Sequence, residues 1–208
     1  RILVRFGLDA LTRTTHPGIR ALRDGCSFKG AITARDLGFG LGPRINAGGR
    51  IGKPDLGMRL LSTTSEDEAV QIAELLDAQN KERQKIERRI TDQALKQAEA
   101  AGRDRYTQVL ADDGWHAGVV GIVASRIVDR FHRPTFVIAW EPDGSGKGSG
   151  RSIRNFHLVQ ALEGCASELT SFGGHAHAAG VRIQKDRFQA FSDRFEAVAR
   201  ERMKERDL

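Results

Sequence analysis

From Ser65 to Ala101 the chain contains neither glycine nor proline, and no other feature restricts its possible folds so strongly. Ser65-Glu66-Asp67-Glu68 reads as a capping box, with serine as N-cap and glutamate three residues on. Acidic residues crowd the first turn, where the helix dipole favours them, and Gly102 supplies a stop. The stretch predicts one helix of about 36 residues, roughly 54 Å long at 1.5 Å per residue. Ile72, Ala73, Leu75 and Leu76 give its first half an apolar face, and Ile86, Ile90 and Ala94 follow at intervals of four. The stripe then thins, where Lys81, Arg83, Lys85, Arg88 and Arg89 lie close to Glu82 and Glu87. No sustained heptad with apolar a and d positions is present, which sets a coiled coil aside. So long and increasingly polar a helix is expected to bridge two bodies.

That helix divides the chain into residues 1–64, 65–102 and 103–208. Residues 1–64 read as short helices at about 2–12, 16–24 and 54–62 around a glycine-rich loop, with too few hydrophobes for a full core. They are expected to be the tail of a larger domain. Behind the helix the pattern alternates. Strands are expected at 106–111 and 135–140, a polar turn at 141–148, and short strands at 150–153 and 180–184. Helices are expected at 117–131, 158–169 and 186–204. Alternation of this kind predicts a small α/β domain with a mixed sheet.

The rest of the composition narrows the class. No run of about 18 apolar residues is present, so no membrane span is expected. The start, Arg1-Ile-Leu-Val-Arg-Phe6, has no signal-peptide character, and an initial arginine in place of methionine suggests an internal fragment. Cys26 and Cys165 have no partner at metal spacing and read as reduced thiols of a cytoplasmic protein. Residues 1–64 carry 11 Lys/Arg against 4 Asp/Glu, an excess of +7 beside a net charge of +6 for the whole chain, which suits a polyanionic partner.

Four motifs carry chemistry. Gly40 to Gly52 holds five glycines with Arg44, Asn46 and Arg50, the composition of a phosphate-holding loop. It lacks the Gly-Lys-Ser/Thr ending of a nucleotide P-loop. Asp112 to Arg126 runs from a strand into a helix N-terminus that favours an anion, and Trp115 beside His116 offers a base-stacking face. Asp112 and Asp113 read as a cap or turn in preference to a metal pair. Lys147-Gly-Ser-Gly-Arg-Ser-Ile153 surrounds Arg151 with small residues and sets the hydroxyls of Ser149 and Ser152 beside it. Gly173-Gly174-His175-Ala-His-Ala-Ala-Gly180 puts two imidazoles next to a permissive backbone. The chain has much for gripping a phosphodiester and little for activating water.

In this order and spacing the motifs resemble the RecJ family of single-strand-specific 5′→3′ DNA exonucleases, within the DHH phosphoesterase superfamily. Gly42-Pro-Arg-Ile-Asn-Ala-Gly-Gly-Arg50 resembles the segment that joins the catalytic domain to its long helix. Gly114 to Arg126, Gly148 to Ile153 and Phe172 to Gly180 resemble the motifs of the DHH-associated domain. Gly48 stands where the family commonly has alanine, a difference expected to have little effect. The resemblance implies two-metal hydrolysis with Mn²⁺ or Mg²⁺, the ions being bound by residues absent from this chain. It assigns His175 to the reacting phosphate. Arg44, Asn46, Arg50, Ser149, Arg151, Ser152, Gly173 and Gly174 are assigned to the strand and its phosphates, Trp115 and His116 to the cleft wall, and His177 to structure. Single-stranded DNA is the implied ligand, and a single-strand-binding protein or helicase the implied protein partner. Two other readings stay open: a nanoRNase or cyclic-dinucleotide phosphodiesterase of the same superfamily, and a DNA-binding module without turnover.

Overall fold

A computed structural model of the chain describes residues 1–26, 28, 30–102 and 104–204. Arg103 and residues 205–208, the outer limits of the third expected segment, lie outside these. The chain divides into two compact units, Arg1–Lys85 and Ile86–Leu208, and the division falls within a single helix.

The first unit is helical. Helices α1 (Ile2–Arg13) and α2 (Pro17–Gly25) are followed by a single turn, α3 (Ala34–Asp36), and a π turn (Leu37–Leu41). Helices α4 (Gly42–Ile51), α5 (Leu56–Ser62) and the long α6 (Glu66–Ala100) complete the order. Ser65 caps α6, its hydroxyl accepting from the Glu68 amide at 3.3 Å. The Glu68 carboxylate takes the Thr63 hydroxyl at 2.5 Å and Arg59 at 2.8 Å, so the box is closed on one side only. Ala69, Ile72, Ala73 and Leu76 form one face of α6 and pack with Leu22, Leu41, Leu56 and Leu60. Leu75, expected on that face, is 45% exposed. Further along α6, Asn80, Arg83, Glu87 and Thr91 are buried, so the thinning of the apolar stripe does not mark a solvated face.

The segment 40–52, expected as a loop, is mostly helix. A proline in the first turn of α4 suits a helix start, and the glycines give clearance. A Cβ at Gly48 would stand 2.6 Å from the Lys53 carbonyl oxygen, and one at Gly40 2.4 Å from the Phe28 ring. Alanine at 48 is therefore not neutral in this chain, because the turn through Lys53 would have to move.

The second unit is α/β. Beyond α6 run β1 (Gln108–Asp112), α7 (Val120–Phe131), β2 (Thr135–Trp140), β3 (Ser145–Arg151) and α8 (Leu158–Glu163). After these come β4 (Ser171–Gly174), β5 (Ala178–Gln184) and α9 (Phe188–Arg202). The strands form one mixed sheet in the order β1-β2-β3-β5-β4, with β1 and β2 parallel and the other neighbours antiparallel. On one face Phe136, Ile138, Trp140, Val181 and Ile183 pack with Leu158 and Leu162 of α8 and with Phe191 and Phe195 of α9. Phe136 meets Phe191 and Phe195 edge-on at 5.5 and 5.2 Å.

Strand β3 departs most from expectation: 145–148 is strand, not turn. Its register sets Gly146 opposite Trp140, Gly148 opposite Ile138 and Gly150 opposite Phe136. A Cβ at Gly146 or Gly150 would stand 2.4 Å from the ring of Trp140 or Phe136, and one at Gly148 2.8 Å from Ile138. The large β2 side chains lie over the β3 backbone, a packing that covers strand glycines and removes the need for turn geometry. Strand β4 was not expected from its sequence, since Phe172 alone points to the core and Ser171, Gly173 and Gly174 carry no strand signal. Helix α8 ends at Glu163, short of 169, because Gly164 caps it and a 3₁₀ turn follows at Ala166–Glu168.

Substituting Gly150 by alanine is expected to destabilise the fold by about 1–3 kcal/mol in urea denaturation, as overpacking does. A loss below about 0.5 kcal/mol would place it among ordinary surface changes and contradict the packing under Phe136. Burial also pushes the Cys165 thiol up to about 11, and its Sγ donates to the Ala161 carbonyl at 3.5 Å. A thiol reagent is expected to modify half-buried Cys26 in the native chain and Cys165 only on unfolding.

Candidate nucleic-acid interface

Alternation along a strand sends successive side chains to opposite faces. With Gly146, Gly148 and Gly150 under the β2 side chains, Lys147, Ser149 and Arg151 face away from that core. In β5 Val181 and Ile183 point inward and Gly180 and Arg182 outward; in β4 Phe172 points inward and Ser171 and Gly173 outward. The register then pairs Lys147 with Arg182, Ser149 with Gly180, and Gly180 with Gly173 across this outer face. The result is a shallow depression of about 330 Å³ bordered by Lys147, Ser171, Gly173, Gly180 and Arg182.

At one end of this face lies the start of α7, which has no side-chain cap. A Cβ at Gly121 would stand 2.9 Å from Ser149 Oγ and 3.1 Å from Arg151 Nη2, so glycine lets the helix end approach both groups. Arg151 Nη1 donates to Ser149 Oγ at 3.0 Å and to the Gly150 carbonyl at 2.8 Å, which orients the guanidinium. A hydroxyl, a guanidinium and a positive helix terminus converge there, an arrangement suited to a phosphate.

The turn between β4 and β5 comes to the same end of the sheet. Gly174 has a φ of +148°, and a Cβ there would meet the Ala178 carbonyl at 2.3 Å. The His175 amide donates to Ala178 at 2.8 Å, and the His177 carbonyl accepts from the Ser152 amide at 3.1 Å. Both imidazoles are exposed. The motifs around 116–121, 149–152 and 173–177, far apart in sequence, are thus neighbours within the second unit.

Other residues singled out in the sequence are engaged elsewhere. Trp115 does not offer a stacking face: it is 5% exposed, and its Nε1 donates to Gln93 Oε1 at 3.0 Å. It precedes α7, which starts at Val120 and not at 117. His116 is exposed, and its Nδ1 accepts from the Gly118 amide at 3.0 Å, shaping the approach to α7. The Ser152 hydroxyl donates to the Phe156 carbonyl at 2.7 Å. Asp112 accepts from the Gly114 amide at 2.8 Å, the turn role expected of it, whereas Asp113 pairs with Lys185 at 2.6 Å.

In the first unit Arg44 turns inward, its Nε donating to Asp77 at 2.8 Å and its Nη1 to the Gly40 carbonyl at 2.9 Å. Burial works to raise the Asp77 carboxyl, but hydrogen bonds from Lys81 and Arg44 hold it below the usual carboxylate range. Asn46 and Arg50 lie one turn apart on the exposed side of α4. Arg44 and Arg50 therefore do not share a face. Reading motif by motif gave no role to Gly121, Lys147 or Arg182; the alternation Val181-Arg182-Ile183, one polar residue between two β-branched apolar ones, is the signal that sets the arginine on the outer face.

Among the described residues no three His, Cys, Asp or Glu side chains are grouped to hold a metal ion, and no helix is long and apolar enough to cross a membrane. Residues 104–201 match the DHHA1 domain. The single-stranded-DNA-specific exonuclease RecJ of Bacillus subtilis is 39% identical over 210 residues, covering 100% of this chain and 27% of that protein. RecJ of Dickeya dadantii is 45% identical over 207 residues, covering 94% of the chain and 36% of that protein. Crystal structures of Thermus thermophilus RecJ with Mg²⁺ and with Mn²⁺ superpose with TM-scores of 0.87 and 0.85 at 35% identity. Each match covers 96% of this chain, and 31% and 29% of those chains. The chain thus spans about a third of the length of these relatives.

Replacing Trp115 by phenylalanine removes the hydrogen bond to Gln93 and is expected to cost about 1 kcal/mol of stability. Affinity for single-stranded DNA should not change. Loss of about 1–3 kcal/mol of binding, the range for a base-stacking ring, would restore the surface role.

Proposed function

Since this chain belongs to the RecJ family, with a DHHA1 domain at residues 104–201, we propose that it supplies the strand-holding part of a single-stranded-DNA-specific exonuclease. That enzyme would hydrolyse phosphodiester bonds 5′→3′ in DNA repair and recombination. In this reading residues 1–64 close the DHH catalytic domain, 65–102 connect, and 103–208 form the DHH-associated domain. The observation that carries the proposal is the convergence of Ser149, Arg151 and the Gly121 end of α7.

A guanidinium held by its own strand, a neighbouring hydroxyl and a helix terminus give a phosphate charge and direction without reorganisation. Gly173 and Gly180 leave room for the sugar–phosphate chain to lie against the sheet. His175, exposed beside this point, would donate a hydrogen bond to the reacting phosphate or its leaving oxygen. Asn46 and Arg50, on the exposed side of α4, would contact further phosphates, whereas Arg44 would act through its pairing with Asp77. Mg²⁺ or Mn²⁺ would activate water in the intact enzyme. The described residues do not fit such ions, so this chain's part is to bind, orient and donate. A cytoplasmic location and partnership with a single-strand-binding protein or a helicase accompany the reading as features of the family.

The test is a salt series of single-strand affinity for the unaltered chain and for Arg151→Ala. Loss of one phosphate contact is expected to weaken binding and to lower the slope of log K against log salt by about 0.7. An unchanged slope would remove Arg151 from the phosphate path.

A further inference from the structure

We infer that Lys147 and Arg182 form a second phosphate contact on the same sheet face, separate from the point at Ser149 and Arg151; the inference rests on the reading of the preceding subsection. The two cations are directly opposed on β3 and β5 and project to the same outer face. Like charges directly across a strand pair repel, so an arrangement of this kind needs compensation. Lys147 has it, with its Nζ 2.6 Å from Glu141 Oε1, and that hydrogen bond holds the Glu141 carboxyl below its usual range. Arg182 is exposed, and among the described residues no carboxylate or carbonyl takes its guanidinium.

The surroundings are those of a track for a polymer. Ser171 flanks Arg182 on β4, and the next row across the sheet is Ser149, Gly180 and Gly173, with no large side chain on it. Lys147 and Arg151 stand four positions apart on β3, about 13 Å at the rise of a strand, which leaves room for more than one nucleotide. A strand bound at Arg151 by one phosphate would therefore run past Ser149 and across Gly180 of β5 and offer a later phosphate to Arg182. The ligand class is the phosphodiester backbone of single-stranded DNA, contacted without regard to base.

The contact is tested by length dependence, using the full chain in solution. Affinities for a 5′-phosphorylated dinucleotide and a 5′-phosphorylated dodecamer are compared in Arg182→Ala, Arg182→Lys and Arg151→Ala. Arg130→Ala, on the far turn of α7, controls for lost charge alone. The expected result is that Arg182→Ala weakens the dodecamer roughly tenfold and leaves the dinucleotide and the circular dichroism spectrum unchanged. Arg182→Lys should recover most of the loss, and Arg151→Ala should weaken both ligands. Equal weakening of both ligands by Arg182→Ala, or a loss no larger than that of Arg130→Ala, overturns the second contact. If Arg182→Ala has no effect while Arg151→Ala weakens both, this inference fails and the preceding reading stands. If neither variant matters, the reading itself fails.

Discussion

The packing of three β2 side chains over three glycines of β3 determines the direction of every functional side chain on that strand. Trp140, Ile138 and Phe136 occupy the space that Cβ atoms at 146, 148 and 150 would need. Because strand residues alternate, fixing those glycines inward fixes Lys147, Ser149 and Arg151 outward. A slip of one residue would exchange the two sets and bury two cations. The aromatic contacts of Phe136 with Phe191 and Phe195 hold this arrangement from below. The chemistry of the outer face thus depends on a steric fit on the inner one.

The same principle of clearance recurs at the start of α7. Gly121 permits a helix terminus to come beside Ser149 and Arg151, where any larger residue would displace one of them. Gly174 permits the turn that carries His175. In both cases glycine serves a close approach of protein to protein, and the place offered to a phosphate follows from what that approach brings together.

Much of this was legible in the residues. The capping serine and the run without glycine or proline gave α6, the strand Thr135–Trp140 was read with its observed limits, and the four motifs named the segments that matter. Two of the errors share one cause: glycine was read as a mark of loop. Segments 40–52 and 145–148 are helix and strand, and the space that their glycines leave open is taken by packed neighbours, the Phe28 ring and the Lys53 carbonyl in the first and the β2 side chains in the second. Trp115 and Arg44 were read from residue type, and only tertiary contacts with Gln93 and Asp77 show them turned inward. Arg182 alternates with Val181 and Ile183 in the sequence, but only the order of β3, β5 and β4 sets it opposite Lys147.

The central claim is that single-stranded DNA lies on the outer face of β3, β5 and β4, beside the first turn of α7. It is tested most directly by following the backbone amides of the isotopically labelled chain by NMR as a 5′-phosphorylated oligonucleotide is added. The account predicts shifts at Gly118, Gly121, Ser149, Arg151, Gly173, Gly180 and Arg182, with the amides of α9 unmoved. Shifts concentrated on α8 and α9, or a bound chain whose β3 amides stay in place, would contradict it.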